Sequence, residues 1–394
     1  MTIEVRAAQM GEYPVLREIF ARAFETEDEA RLWDYLVAHE PSLRPEGVRV
    51  AVVDGRPVAC TVVLPRRVRI RQDWAPGAVI TLVACHPDYQ NQGYGGRTVR
   101  DALAYMADQG LAIGVLYGHP GYYPRFGFVP VLPDQSTILA SSFPLDATLA
   151  GCWEKIGEEA PEEETPGEEV LEWEKLRPVA EEDLPALAAL YAAQMSIYPC
   201  AMAREAEPWL WSLRNTRHNA LLTLPERQGY ALVSSDRAHN MLVIQEGAAV
   251  DVVSGRRLLA GLVGEAQNRG LAKLRLVLPP GHLLVRLALL WGAEQSCHPA
   301  TAGMAAITCW KALLPPGYQV NDQGLAYRGQ LVLRADAQAL IELVVGYRGI
   351  DDLLLEPDVA LPGGDADYEL LRRDFPPGFP KWSPAPFWLG EAGL

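Results

Sequence analysis

The stretch "HPDYQNQGYGGRTV", residues 86–99, decides the fold because it joins an apolar run to a segment with helical spacing. It places three glycines, Gly93, Gly95 and Gly96, within four positions. A glycine-rich turn from a strand into a helix lets backbone N–H groups and the positive end of the helix face an anion. The stretch therefore predicts a phosphate-binding loop, although a tight strand-to-helix turn without a ligand would have the same composition.

Two other types of phosphate-binding loop fit this stretch less well. A P-loop needs G-x-x-x-x-G-K-[ST], but Asn91 stands at the first glycine position and Arg97 replaces the lysine. A dinucleotide-binding loop follows the first strand of its domain, whereas this loop follows several predicted strands. The segment from Gln90 to Gly95 instead matches Q-x-x-G-x-G, in which the glycines let the backbone approach a pyrophosphate closely.

On either side of the loop, strand and helix patterns alternate, which predicts an α/β fold. Asp54 and Gly55 predict the turn of a β-hairpin. The predicted elements are a strand over 3–7, helices over 13–24 and 27–39, a hairpin over 48–70, a strand over 78–85, a helix over 97–108 and a strand over 111–117.

A second motif, "YGHPGYYPRFGFVPV" at residues 117–131, follows one helix and one strand downstream. Together the two motifs resemble the GCN5-related N-acetyltransferase (GNAT) superfamily, specifically its members with Tyr-Tyr-x-Arg-Phe-Gly-Phe after the fifth strand. The resemblance implies that the loop takes the pyrophosphate of acetyl-CoA and that the preceding strand splays from its neighbour to bind the pantetheine arm. The residues that it assigns to the coenzyme are Val83, Ala84, Cys85, Gln90, Asn91, Gln92, Gly93, Tyr94, Gly95 and Gly96.

The same resemblance nominates catalytic groups. Tyr123 occupies the tyrosine position of Tyr-x-Arg-Phe-Gly and is expected to protonate the leaving thiolate, although Tyr122 and Tyr123 could both be packing aromatics. The strand at 83–85 is expected to supply backbone N–H donors to the developing oxyanion. The chain's terminal carboxylate, on Leu394, is the expected base by similarity to one subfamily. Other candidates for the base are His86, His119, Glu27 and a water chain. An acetyl-cysteine on Cys85 is disfavoured, because a thiol on an apolar strand is inert.

A similar order of elements restarts after an acidic stretch. Residues 154–174 hold ten glutamates and one lysine, which predicts a linker. Beyond it, "EAQNRGLAKLRLVL" at 265–278 resembles "MADQGLAIGVLY" at 106–117, which indicates a degenerate duplication. The second copy has no glycine loop between its strand and helix, so one active site is expected per chain.

The whole chain resembles the enhanced-intracellular-survival (Eis) acetyltransferases. That resemblance implies an α/β fold of two tandem GNAT-like domains, each with a mixed β-sheet and flanking helices, followed by a short sterol-carrier-like segment. The expected division is a catalytic domain at 1–150, a linker at 151–174, a degenerate GNAT-like domain at 175–318, and a C-terminal segment with a Pro- and aromatic-rich tail at 319–394.

Composition narrows the possible partners. The net charge is −15, of which −9 falls in residues 154–174, and no basic face is available for nucleic acid. The six cysteines form no C-x-x-C pair and no cluster with histidine, so no metal is expected. The chain starts without an apolar signal pattern and has no membrane-spanning run, so a cytoplasmic location is expected.

The expected function is acetyl-CoA-dependent N-acetylation of a primary amine, on a small molecule or peptide, by direct attack in a ternary complex. The alternative is a catalytically decayed protein that binds an acyl-CoA or serves as a scaffold or sensor. The sequence leaves open the identity of the amine and a possible homo-oligomeric state.

Overall fold

The computed structural model describes residues 2–142, 175–195, 197–203 and 219–378. The predicted linker at 151–174 and the last residues, Leu394 among them, lie outside the described residues. The chain divides into two compact units. The first comprises the described residues up to Pro133, those of 197–203 and those from Pro299 onward. The second comprises the described residues from Asp134 to Met195 and from 219 to His298. The domain limits given above stay predictions.

Within the described residues, no helix is both long enough and apolar enough to cross a bilayer.

The described residues form nine α-helices. They are α1 Tyr13–Ala23, α2 Asp28–His39, α3 Tyr94–Asp108, α4 Leu184–Leu190, α5 Val252–Asn268, α6 Leu283–Leu290, α7 Ala337–Val345, α8 Ile350–Leu353 and α9 Asp365–Asp374.

Each unit contains a sheet with both antiparallel and parallel strand pairs, flanked by helices, which confirms the predicted α/β class. The strands are β1 Ile3–Ala7, β2 Val48–Val53, β3 Arg56–Ile70, β4 Asp73–Cys85, β5 Ile113–Tyr117, β6 Val129–Ala140, β7 Arg177–Pro178, β8 Asn219–Thr223, β9 Gly229–Asp236, β10 Met241–Ala249, β11 Lys273–Leu276, β12 Glu294–Ile307, β13 Tyr318–Asn321, β14 Gly324–Tyr327 and β15 Gln330–Arg334.

The first unit is built on a sheet in which β1, β2, β3 and β4 are successive antiparallel neighbours and β5 joins β4 in parallel. The predicted hairpin is confirmed, since Asp54 and Gly55 form the β2–β3 turn with φ of 47° and 84°. The residues 303–307 of β12 add an antiparallel neighbour on the far side of β5. The three-stranded sheet β13–β14–β15 and the helices α7 to α9 belong to the same unit.

Strand β4 diverges from β5 toward its carboxyl end. The parallel pairing covers only Gly77–Val79 against Ile113–Val115, and β4 continues for six residues beyond it. A gap, here called the opening, therefore separates the carboxyl end of β4 from β5 beyond Val79. Buried side chains from both strands and from α3, among them Ile80, Val99 and Leu116, fill the core on one side of the opening. The end of β4 therefore leaves one edge without its β5 neighbour.

The second unit repeats this order of elements. β9 and β10 are antiparallel, β10 pairs in parallel with β11 over Met241–Ile244, and α5 connects the two parallel strands. Helix α5 begins at Val252, where Asp251 caps it two residues after the end of β10. The repeated order of strands and helix is consistent with the duplication inferred from the sequence.

Candidate active site

Strand β4 carries a β-bulge where it begins to diverge. Cys60 of β3 lies opposite Ala84, but Val62 lies opposite Thr81, so β4 has one extra residue in between. Leu82, in this bulge, has φ of 47°. A branched residue in the left-handed region costs of order 1–3 kcal/mol and is found mainly at functional sites. The bulge is thus a strained feature in the middle of the opening.

Beyond the bulge, backbone groups of β4 face the opening. His86 N–H donates to the Val58 carbonyl at 2.8 Å. Hydrogen-bonding directions alternate along an antiparallel pair, so the N–H and C=O of Cys85 point away from β3. The Gln90 side-chain amide donates to that Cys85 carbonyl at 3.3 Å, which agrees with this direction. The backbone of Cys85 therefore faces a ligand lying in the opening, whereas the neighbouring Ala84, opposite Cys60, directs its N–H and C=O toward β3.

The glycine loop ends in an open helix N-terminus. Gly93 is the N-cap of α3 in the left-handed conformation, with φ of 82°, and no side chain caps the helix. Asn91, two residues earlier, also has a positive φ of 60°. A side chain at Gly93 would meet nothing within 4 Å, so the space over the helix end is open. Uncapped N–H groups of a 15-residue helix favour an anion at this position.

Other residues assigned to the coenzyme have structural contacts. The Gln92 amide donates to the Asp88 carbonyl at 3.4 Å, across the loop. The side chain of Tyr94 is 3% exposed and packs in a core cluster with Val53 and Val58. The buried side chain of Tyr94 therefore cannot contact a coenzyme, and only its backbone could do so.

The glycine loop contacts the second motif directly. A Cβ on Gly95 would lie 3.1 Å from the Tyr122 hydroxyl oxygen, and one on Gly96 would lie 3.2 Å from Cζ of Phe126. Because these two glycines lack a side chain, Tyr122 and Phe126 of the second motif can pack closely against α3. The sequence indicates both motifs, but it does not indicate that they touch.

Tyr123 is packed against strand β4 rather than exposed. Its side chain belongs to the core cluster that contains Ile80, with Val83 packed against the cluster. Its ring makes edge contacts with Tyr122 and Phe128, at centroid distances of 5.0 and 5.7 Å. Burial, with a smaller contribution from Tyr122, raises the pKa of Tyr123 well above its usual range. Tyr123 therefore stays a neutral phenol, able to donate a proton, at any physiological pH.

Gly118 fixes the Tyr123 ring and was not among the residues predicted from the sequence. A Cβ on Gly118 would lie 2.1 Å from Cε2 of Tyr123. The only signal in the sequence is its position directly after β5, which is too common to identify a functional glycine.

We expect Gly118→Ala to lower both stability and kcat, because the new methyl group must push the Tyr123 ring aside. Overpacking of this kind costs about 1–3 kcal/mol. Thermal unfolding and steady-state kinetics measure the two effects. Gly121→Ala is the matched control, since a Cβ there meets nothing within 4 Å. Equal kcat values for the two variants would contradict this role of Gly118.

The other residues considered as a nucleophile or a general base have surroundings that suit those roles less well. Burial raises the pKa of the Cys85 thiol, an effect partly opposed by the Gly95 N–H, so the thiolate needed for an acetyl-cysteine is disfavoured. Glu27 is an exposed partner of Arg17, at 3.0 Å. The Nδ1 of His86 accepts the Asp88 N–H at 3.3 Å. In the described part of the chain, no three His, Cys, Asp or Glu residues are grouped to hold a metal.

The second unit has a carboxylate where the first has an open helix end. Asp251 is the N-cap of α5, and its carboxylate accepts the Ser254 N–H at 2.7 Å. Hydrogen bonds from the Ser254 backbone and side chain lower the pKa of Asp251, so it is an anion at neutral pH. The N-terminus of α5 is therefore already occupied by a negative charge, unlike that of α3.

Comparison with known proteins identifies the class. Residues 4–131 match the family model described as an acetyltransferase (GNAT) domain. The chain is 29% identical over 138 residues to the uncharacterised N-acetyltransferase YjhQ of Escherichia coli (strain K12), covering 35% of this chain and 75% of that protein. The chain thus carries a GNAT domain and is an N-acetyltransferase.

Similarity in fold extends over nearly the whole chain. A GCN5-related N-acetyltransferase from Anabaena variabilis aligns with a TM-score of 0.71 and 16% identity, covering 97% of this chain and 99% of that one. Eis1 from Mycobacterium abscessus aligns with a TM-score of 0.64 and 15% identity, covering 96% and 97%. The chain therefore shares the fold of Eis1 from the first unit through the second.

Proposed function

We propose that the chain transfers an acetyl group from acetyl-CoA to a primary amine of a small molecule or peptide, by direct attack within a ternary complex. The observation that carries this proposal is the open N-terminus of α3 at Gly93, placed at the end of the diverging strand β4. An uncapped helix end beside a strand edge with free backbone groups suits a pyrophosphate joined to an amide-containing arm.

Different parts of the site would hold different parts of the coenzyme. Backbone N–H groups after Gly93 would bind the pyrophosphate, and the backbone of Cys85 would hydrogen-bond the pantetheine arm. The positive φ values of Asn91 and Gly93 and the open space over Gly93 fit such a ligand. Acetyl-CoA supplies the reactive thioester, and the protein orients and polarises it.

The described residues would stabilise the transition state of acetyl transfer in two ways. A β4 backbone N–H beyond the bulge would donate to the thioester oxygen as negative charge develops on it. The Tyr123 hydroxyl would donate its proton to the sulfur of the departing coenzyme A. Direct attack is favoured over an acetyl-cysteine because the pKa of Cys85 is raised.

The acceptor amine must lose a proton before or during attack. The role of the Leu394 carboxylate as the base stays a prediction, since this residue lies outside the described residues. The cytoplasmic location and a possible homo-oligomeric state also stay predictions. The pairing of Glu27 with Arg17 and the hydrogen bond of His86 make both less suitable as bases.

Calorimetry with acetyl-CoA, followed by turnover assays with a panel of amines, tests the proposed function. We expect micromolar binding of acetyl-CoA and release of coenzyme A only when an acceptor amine is present. Release of coenzyme A without an acceptor, together with trapped acetyl-enzyme, would contradict direct transfer. Binding without turnover across a broad panel would instead favour a decayed coenzyme-binding protein.

A further inference from the structure

Two arginine side chains lie over one aromatic ring beside the glycine loop. The guanidinium carbons of Arg100 on α3 and Arg125 in the second motif are 5.0 and 5.1 Å from the centroid of Phe126. They are therefore within about 10 Å of each other, roughly one Debye length at 0.1 M salt. Both residues are exposed.

The described residues supply no acidic partner to these two positive charges. In the part of the chain that the structure describes, neither Arg100 nor Arg125 forms an ion pair with a carboxylate. Aromatic contacts hold them instead, since Arg125 also lies 4.1 Å from the centroid of Tyr122. With no carboxylate among the described residues to neutralise them, these two neighbouring arginines form a local positive field in a chain whose net charge is −15.

This arginine pair adjoins the proposed coenzyme site. Nη1 of Arg100 is 3.8 Å from the position that a Cβ on Gly96 would take, and Phe126 packs on the same glycine. Gly96 lies in the first turn of α3, next to the open N-cap at Gly93. The pair therefore extends the anion-binding end of α3 sideways, beyond the reach of the helix N–H groups.

We propose that Arg100 and Arg125 bind the ribose 3′-phosphate of the coenzyme and make the enzyme select CoA thioesters over their 3′-dephospho forms. This inference rests on the proposed function, because it assumes a coenzyme pyrophosphate at Gly93. The 3′-phosphomonoester carries close to two negative charges on one phosphorus at neutral pH, against one on each phosphorus of the pyrophosphate, and planar guanidinium groups match its oxygens in pairs. Stacking on Phe126 and Tyr122 fixes the two side chains in advance, so less conformational entropy is lost on binding.

Calorimetric affinities for acetyl-CoA and acetyl-3′-dephospho-CoA, measured on the full chain, test the inference. We expect the wild-type protein to prefer acetyl-CoA by about tenfold to a hundredfold, as for hydrogen bonds between charged groups. Arg100→Gln should weaken acetyl-CoA binding by about tenfold and leave the dephospho form unchanged. The preference should also fall as salt concentration rises.

Two further variants separate a specific contact from a structural effect. Arg328→Gln is the matched control, because Arg328 is another exposed arginine stacked on an aromatic ring, Tyr327, at 5.1 Å, but in the β14–β15 turn. It should leave both affinities unchanged. Arg125→Lys keeps the charge while weakening the stacking and the paired hydrogen bonds, so it should reduce the preference only in part.

The possible failures are distinguishable. If the wild-type protein binds neither thioester, the proposed function itself fails. If it binds both equally, or if Arg100→Gln weakens both by the same factor, the 3′-phosphate assignment is wrong, and the arginines act on the pyrophosphate or on the loop.

Discussion

Replacing Tyr123 with phenylalanine is expected to lower kcat by about a hundredfold or more, while KM for acetyl-CoA changes little. The substitution removes the proton that the departing thiolate needs but keeps the ring against Gly118, Tyr122 and Phe128. Thermal unfolding should therefore change little, and steady-state kinetics at saturating amine measures the effect.

The neighbouring residue provides the control for this variant. Tyr122→Phe removes a hydroxyl that lies at the glycine loop, next to Gly95, so any effect should fall on KM for acetyl-CoA rather than on kcat. A larger loss of kcat in Tyr122→Phe than in Tyr123→Phe would reverse the two roles. Equal kcat for Tyr123→Phe and the wild-type protein would remove Tyr123 from the chemistry altogether.

The pH dependence follows from the direction of the Tyr123 shift. Burial raises its pKa, so the phenol loses its proton only above the usual range of tyrosine, near 10. The kcat of the wild-type protein should consequently show no falling limb assignable to Tyr123 below about pH 10. A falling limb in that range that is absent from Tyr123→Phe would show that the pKa is not raised.

Gly93→Asp is expected to raise KM for acetyl-CoA by about tenfold to a thousandfold. The substitution would place a carboxylate at the N-cap of α3, as Asp251 does for α5. A like charge about 4 Å from a phosphate costs about 1 kcal/mol in water and about 4 kcal/mol at a partly shielded site. Binding of acetyl-CoA by calorimetry measures the loss directly.

Gly93→Asn is the matched control for charge. Asparagine has nearly the same shape as aspartate and tolerates the left-handed conformation that Gly93 adopts, with φ of 82°. Both variants carry the same backbone strain, so the difference between their KM values isolates the charge. Equal KM values for the two variants would mean that no anionic group of the coenzyme lies at Gly93.

Comparison of the two units explains why the glycine loop is informative. Both units have an antiparallel strand pair, a parallel strand pair and a helix that connects the parallel strands. They differ at the helix N-cap, where a glycine leaves the end of α3 open and Asp251 fills the end of α5. The expectation of one active site per chain stays a prediction, but it now has a physical reason in this difference.

Sequence alone determined the features that depend on local patterns. The periodicity of apolar residues predicted the first unit's helices and strands, and Asp54-Gly55 fixed the hairpin because few other residues adopt its backbone conformation. The two motifs and their order determined the class, which the family comparison confirmed. The start of α3 was predicted three residues too late, because an N-cap glycine gives no polar signal of its own.

Only the tertiary structure decided which distant residues meet. The bulge at Leu82 and the contact of Gly95 with Tyr122 are not visible in the sequence, nor are the packing of Tyr123 on Gly118 and the pairing of Arg100 with Arg125 over Phe126. Apart from the contact between Gly118 and Tyr123, which lie in one loop, each depends on residues far apart in the chain that are brought together when β4, β5 and α3 pack around one core. Local propensity sets the conformation of a segment, but long-range packing sets the distances on which binding and proton transfer depend.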